Sequence, residues 1–188
     1  MLAVTPTRLP EVLVLTPKVF GDERGFFMES FNQRAFNAAT GLDLTFVQDN
    51  HSRSVAGTLR GLHLQLGAPM GKLVRAVVGT IFDVAVDVRR GSPTFGRWVG
   101  VELSADNFRQ CYIPPGFAHG FCVQTPVAEV EYKCTALYDK ALEIGVAWNS
   151  PELAIRWPAA APLLSERDAK LPRLTDVFAT LPQWPGPR

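Results

Sequence analysis

KLVRAVVGTIFDVAVDVRRGSPTFGRWVGVELSADNFRQCYIPPGFAHGFCVQTPVAEVEYKCTAL, residues 72–137, carries the densest run of strand signals in the chain. It breaks into six short runs rich in β-branched and aromatic residues: KLVRAVV (72–78), IFDVAVDV (81–88), GRWVGVEL (96–103), QCYIP (110–114), AHGFCVQ (118–124) and VAEVEYKCTAL (127–137). Gly, Pro, Ser or Asn separates most of them. Such runs at fairly regular spacing predict an all-β sandwich or barrel. A parallel α/β sheet would need crossovers of about ten residues or more, and these gaps leave no room for helices of that length.

Working outward, VLVLTP (12–17), FFMESF (26–31), TFVQDN (45–50) and LRGLHLQ (59–65) extend the pattern toward the N-terminus, and EIGVAW (143–148) toward the C-terminus. Helix signals are sparse. NQRAFNAA (32–39) opens on the capping residue Asn32 and runs into Gly41, predicting one short helix. A second is expected near Ser165, with the chain turning at Pro172. The proline-rich LPQWPGPR (181–188) reads as a surface tail. No internal repeat or linker interrupts the chain, so residues 1–188 form a single expected domain.

The 188 residues are 47% hydrophobic and 20% charged, a globular profile with enough apolar content for a substantial core. A net charge of +1 excludes a broad basic surface for nucleic acid or membrane, though single arginines can still hold a phosphate. Cys111, Cys122 and Cys134 form no CxxC pair. With no secretory leader pattern and no long apolar run, the chain is expected to be cytoplasmic and reduced.

Three histidines, His51, His63 and His119, are the candidates for proton transfer near neutral pH, and each could equally be a hydrogen-bonded structural residue. In LRGLHLQ, alternation puts His63 and Gln65 on one face and Leu62, Leu64 and Leu66 on the other, with a phase slip at Gly61 that leaves the direction of Arg60 open. No closely spaced histidine pair exists, and the position two after His63 is Gln65, so ligands for a metal are few. Tyr132 shares a face with Val130 and Cys134, which suits either a core tyrosine or a phenolic proton donor. Asp168 could orient an imidazole or sit as a first-turn carboxylate. Arg24, Arg60 and Lys72 each stand beside a glycine, where a backbone can approach an anion. Neither a P-loop nor a GxGxxG turn is present.

Taken in order, VFGDERGFFMESF, FVQDNHSRS, GTLRGLHLQ, GKLVRAVVGTIFDVAVDVR, ELSADNFRQCYIPPGFAHGF, VEYKC, IRWP and LLSERD resemble the dTDP-4-dehydrorhamnose 3,5-epimerases. The resemblance covers nearly the whole chain. It implies a cupin-like double-stranded β-helix (jelly roll) with short flanking helices, working as a homodimer with exchanged N-terminal strands and using neither metal nor organic cofactor. The implied reaction inverts C3 and C5 of dTDP-4-keto-6-deoxy-D-glucose through an enolate, giving dTDP-4-keto-L-rhamnose. A single-site epimerase on a related dTDP-keto-deoxysugar is the alternative.

By the same resemblance, His63 is the base, Tyr132 the acid, Asp168 the partner of the base and Lys72 a cation at the keto oxygen. His119 lies near the sugar, while Arg24 and Arg60 meet the pyrophosphate and nucleotide. Glu29, Gln48, Asp49 and Asn50 help hold the nucleotide, some across the dimer. Tyr138 and Glu143 fall at substrate-contact positions, and Asp83 belongs to the polar pocket. Arg167 stands where many members carry lysine, a change that keeps charge but alters hydrogen-bond geometry.

Overall fold

The computed structural model describes residues 2–186. Its strands are β1 (Ala3–Pro6), β2 (Leu13–Thr16), β3 (Val19–Asp22), β4 (Gly25–Met28), β5 (Gln48–Val55), β6 (Leu59–Gln65) and β7 (Lys72–Val78), followed by β8 (Thr80–Asp87), β9 (Trp98–Ser104), β10 (Gln110–Ile113), β11 (Phe117–Val123), β12 (Val127–Cys134) and β13 (Glu143–Gly145). One helix, α1 (Gln33–Thr40), separates β4 from β5. Two sheets carry the fold: six strands in the order β1-β2-β10-β7-β12-β5, and five in the order β13-β6-β11-β8-β9. All their pairings are antiparallel, and β3 and β4 form a separate hairpin. This is the all-β architecture that the strand pattern predicts and the cupin fold that the resemblance implies.

Alternation along the strands builds three apolar layers. Val74, Ala76, Cys111, Ile113 and Val130 from the six-stranded sheet meet Ile81, Ala85, Leu103, Phe117 and Phe121 from the five-stranded one in the inner core. The opposite residues of the five-stranded sheet, among them Leu62, Leu64, Val84, Val86 and Ala118, are covered by Leu153, Leu174 and Leu181 of the C-terminal segment. That double cover explains why β11 is buried at every position. Phe36 of α1 packs with Leu15, Leu73 and Tyr112 on the outside of the six-stranded sheet.

The helix begins and ends as the sequence predicts. Asn32 Oδ1 accepts from the Ala35 N–H at 3.0 Å, and Gly41 adopts φ 71° while its N–H closes on the Asn37 carbonyl. The expected helix near Ser165 is only a 3-10 turn, Asp168–Lys170, because the extended backbone of Leu171 leaves it before Pro172. The strand expected from residue 45 starts at Gln48, since the Phe46 N–H donates to Gln33 on α1 and its ring packs on Phe36. In place of an apolar run, β5 alternates polar residues between the cavity and solvent. Strand β12 stops at Cys134, beyond which the Thr135 hydroxyl accepts from the Gly71 N–H.

The expected tail is docked over its described part. Leu181 is fully buried, and backbone hydrogen bonds tie Pro182 and Trp184 to Arg90. Pro187 and Arg188 lie outside the described residues. Among the described residues no helix is long and apolar enough to cross a membrane.

Candidate active site

A cavity of about 620 Å³ opens between the sheets. The five-stranded sheet contributes Arg60 and His63 from β6, His119 from β11 and Glu143 from β13. The six-stranded sheet contributes Gln48 and Asn50 from β5, Lys72 from β7 and Tyr132 from β12. Tyr138, Arg167 and Asp168 complete its mouth from the following segments. Antiparallel register sets the six-sheet wall, with Tyr132 opposite both Asn50 and Val74, and Cys134 opposite Lys72.

Arg60 and His63 share the cavity although they stand three positions apart, an odd spacing that strict alternation sends to opposite faces. His119 pairs with His63, whereas Phe121 pairs with Arg60, so β6 carries one extra residue at a bulge. Gly61 and Gly120 make that bulge possible. A Cβ on Gly61, whose φ is 118°, would come within 2.6 Å of the His119 carbonyl oxygen and the Gly120 Cα. The phase slip visible at Gly61 in the sequence is thus the device that turns both side chains inward.

His63 Nε2 lies 2.7 Å from Asp168 Oδ1. The turn that presents Asp168 is held by its own N–H, which donates to the Ser165 hydroxyl at 3.0 Å. Burial pushes the Asp168 carboxyl up, but hydrogen bonds and charge from His63, with lesser help from Gly61 and Ser165, outweigh it and leave the group below the usual range. An anionic Asp168 fixes the proton of the neutral ring on Nε2 and leaves the Nδ1 lone pair free. The Glu143 Oε1 atom stands 3.9 Å from that nitrogen.

On the opposite wall, burial raises the Tyr132 hydroxyl above its ordinary value, with Cys134 and Glu143 adding to the effect and Arg60 opposing it. The phenol therefore keeps its proton at neutral pH. Burial lowers the Lys72 ammonium, against the fields of Cys134, Glu143 and Asp83. His119 Nε2 sits 2.7 Å from Asp83 Oδ1 beneath the cavity. Burial lowers this imidazole too, and Asp83 opposes the shift.

Eleven of the residues singled out in the sequence line this cavity: His63, Tyr132, Asp168, Lys72, Gln48, Asn50, Arg60, His119, Tyr138, Glu143 and Arg167. Four do not. Asp83 lies one layer deeper, against His119. Arg24 sits at the exposed tip of the β3–β4 hairpin, bonded to Asp22. Glu29 faces a second cavity between that hairpin and α1 and accepts from Asn32. Asp49 points out of the six-stranded sheet and pairs with Lys133 at 2.9 Å. Within one chain these last three are not brought to the His63 cavity.

Sequence reasoning missed how the mouth is held. Gln65 donates to the carbonyls of Ala68 and Leu137 and accepts from the Asp139 N–H. Gln48 accepts from the Tyr138 N–H at 2.8 Å. These two glutamines fix the segment that carries Tyr138, and because their partners in that segment lie 72 to 90 residues away, no local pattern announces them. Ser165 and the apolar rim residues Leu163 and Leu164 were missed for the same reason.

Residues 6–176 match the protein-family model of dTDP-4-dehydrorhamnose 3,5-epimerase. The chain is 57% identical over 175 residues to the dTDP-4-dehydrorhamnose 3,5-epimerase of Shigella flexneri, covering 93% of this chain and 97% of that protein. The crystal structure of dTDP-6-deoxy-D-glucose-3,5-epimerase from Legionella pneumophila, in complex with dTDP-4-keto-L-rhamnose, superposes with a TM-score of 0.96 at 46% identity, over 99% of this chain and 100% of that one. A 3'-monoepimerase from Streptomyces bikiniensis, in complex with dTDP-quinovose, gives 0.89 at 35% identity, over 95% and 92%.

Proposed function

The chain belongs to the dTDP-4-dehydrorhamnose 3,5-epimerase family, and on that premise we propose that it inverts C3 and C5 of dTDP-4-keto-6-deoxy-D-glucose by acid–base catalysis, giving dTDP-4-keto-L-rhamnose. The observation that carries this reading is one cavity into which an Asp168-oriented imidazole and a protonated phenol open from opposite sheets.

The chemical difficulty is breaking a carbon–hydrogen bond with a weak base. A ketone at C4 makes it feasible, because the charge released at C3 or C5 moves onto O4 as an enolate. His63 takes the proton through Nδ1, and Asp168 stabilises the imidazolium that forms. Tyr132 returns a proton from the other face, which is what converts exchange into inversion. Lys72 stabilises O4; among the described residues its ammonium forms no ion pair, so it is available to a developing anion. His119 and Asp83 form the floor of this pocket. A neutral His119 directs its Nε2 proton to Asp83, which assigns the main oxyanion role to Lys72. The substrate's own carbonyl serves as the electron sink, so the scheme calls on no cofactor.

Arg60, Arg167, Gln48, Asn50, Tyr138 and Glu143 would hold the nucleotide tail and the ring. We read the working form as a homodimer with exchanged N-terminal strands. The β3–β4 hairpin supports this, since Phe20, Phe26 and Phe27 on it are 54%, 61% and 72% exposed. In such a dimer Arg24, Glu29 and Asp49 would serve the nucleotide across the interface. We assign the reaction to the cytoplasm, in keeping with three free, buried cysteines.

Incubation with dTDP-4-keto-6-deoxy-D-glucose in deuterated water tests the proposal. Label at both C3 and C5 with inverted configuration is expected. Label and inversion at one carbon alone would make the protein a single-site epimerase, and turnover by His63→Ala near the wild-type rate would remove the base.

A further inference from the structure

Glu143 occupies an unusual place for a residue that only touches substrate. Its Oε1 stands 3.9 Å from His63 Nδ1, the nitrogen that Asp168 leaves free, and its side chain is only 12% exposed. Its other oxygen is engaged twice: by Arg167 Nη1 at 2.5 Å and by the Tyr138 hydroxyl at 2.9 Å. The charged and titratable groups that face the His63–Glu143 pair are Arg60 from β6, Asp168 and Arg167 from the 165–168 turn, Lys72 from β7, His119 from β11, Tyr132 from β12, and Tyr138 from the segment before β13.

We propose that Glu143 is a positioning residue that sets the charge balance of the reaction centre, and that Arg167 and Tyr138 restrain it by holding the oxygen turned away from His63. The inference rests on His63 being the base. A base flanked by one carboxylate is oriented and supported when it takes its proton. A base flanked by two unrestrained carboxylates would tend to carry a proton before substrate arrives, and an occupied Nδ1 cannot abstract another. Arg167 resolves the conflict by drawing Glu143 charge toward itself, while Oε1 stays close enough to support the imidazolium formed in the reaction.

The field of the same carboxylate reaches the other reacting groups. It raises the Tyr132 hydroxyl, helping the phenol keep its proton, and it opposes the lowering of the Lys72 ammonium by burial, helping that group stay charged. One side chain therefore biases base, acid and oxyanion partner in the direction each role needs. Arg167, a planar fork in place of a point-like ammonium, can bond Glu143 and Tyr138 together.

The test is the pH dependence of kcat/KM, which reports ionisations of the free enzyme and free substrate. Glu143→Gln, nearly isosteric, removes the negative charge and is expected to move the acid limb down by about one pH unit. Arg167→Met releases Glu143 and is expected to move the same limb up. Opposite displacements are the signature, because loss of a substrate contact raises KM in both variants and leaves the limb where it was. An acid limb that stays in place in both variants, or moves the same way in both, overturns the proposal. Failure of the base assignment is seen separately, as retained turnover in His63→Ala. Arg167 is half-exposed, so if Glu143→Gln folds poorly the Arg167→Met variant alone decides: an upward shift of the limb supports the restraint, and a limb that stays or moves down overturns it.

Discussion

Asp168 Oδ1 meets Nε2 of His63 at 2.7 Å, although 105 residues separate the two in the chain. The contact exists because β6 and the 165–168 turn pack against each other at the cavity edge, with the Gly61 N–H directed at the second carboxylate oxygen at 3.5 Å. Asp168→Asn should leave this shape intact while offering an amide that can hold the wrong tautomer. A loss in kcat of about 10²–10⁴-fold is expected, with thermal stability measured alongside to show that the fold persists.

Tyr132→Phe separates abstraction from inversion. Under the proposed mechanism His63 is expected still to remove and return a proton from its own face, so in deuterated water label should enter the substrate while its configuration is retained. NMR of recovered sugar reads both. Unaltered double inversion would take the phenol out of the mechanism.

Lys72→Met should trade activity for stability. Loss of a well-aimed oxyanion partner lowers kcat by about 10²–10³-fold. Burial disfavours the ammonium and lowers its ionisation below 10.5, so charge at this site costs stability while the folded protein remains protonated. That cost is full at neutral pH and is relieved as pH rises through the lowered value toward 10.5. The variant should melt above the wild type near pH 7, with the gap narrowing in alkali. A melting series against pH checks both statements.

Two acid-side losses of stability are expected, at different pH. Burial lowers His119 below 6.5 despite Asp83, so the unfolded chain binds a proton first as pH falls below 6.5, and stability declines from there. His119→Gln should flatten that part of the curve. Asp168 is lowered below 3.8 despite burial, so its contribution is present above 3.8 and lost as pH falls through the lowered value. Asp168→Asn should remove this second decline and leave the first.

Gly120→Ala tests the bulge. A Cβ there would lie 2.7 Å from the Arg60 carbonyl oxygen, backbone that has little freedom to move. Destabilisation of about 2–4 kcal/mol is expected by denaturant unfolding. Any folded protein that remains should show reduced kcat, since the shift would carry His63 with it.

Much of the fold was legible. Strands β6 and β7 have the limits read from their apolar runs, and Asn32 and Gly41 mark the two ends of α1. The polar β5 began later than expected, because Phe46 answers to α1 rather than to a neighbouring strand. Strand β1, paired only with β2, lacked a signal strong enough to be read from four residues. Of the candidate site, Tyr132 facing inward with Cys134 followed from alternation, while Arg60 did not, because the bulge resets the phase at Gly61.

Strand periodicity, the single helix and family membership are written in the chain alone, for these rest on residue types at short spacing and on motif order. That His63 meets Asp168, that Glu143 lies between His63 and Arg167, and that His119 turns to Asp83 are products of folding. Those contacts arise inside the five-stranded sheet, where β6 lies beside β13 and β8 beside β11, and at its edge, where the 165–168 turn packs on β6; such pairing joins residues far apart in the chain, which local spacing does not encode.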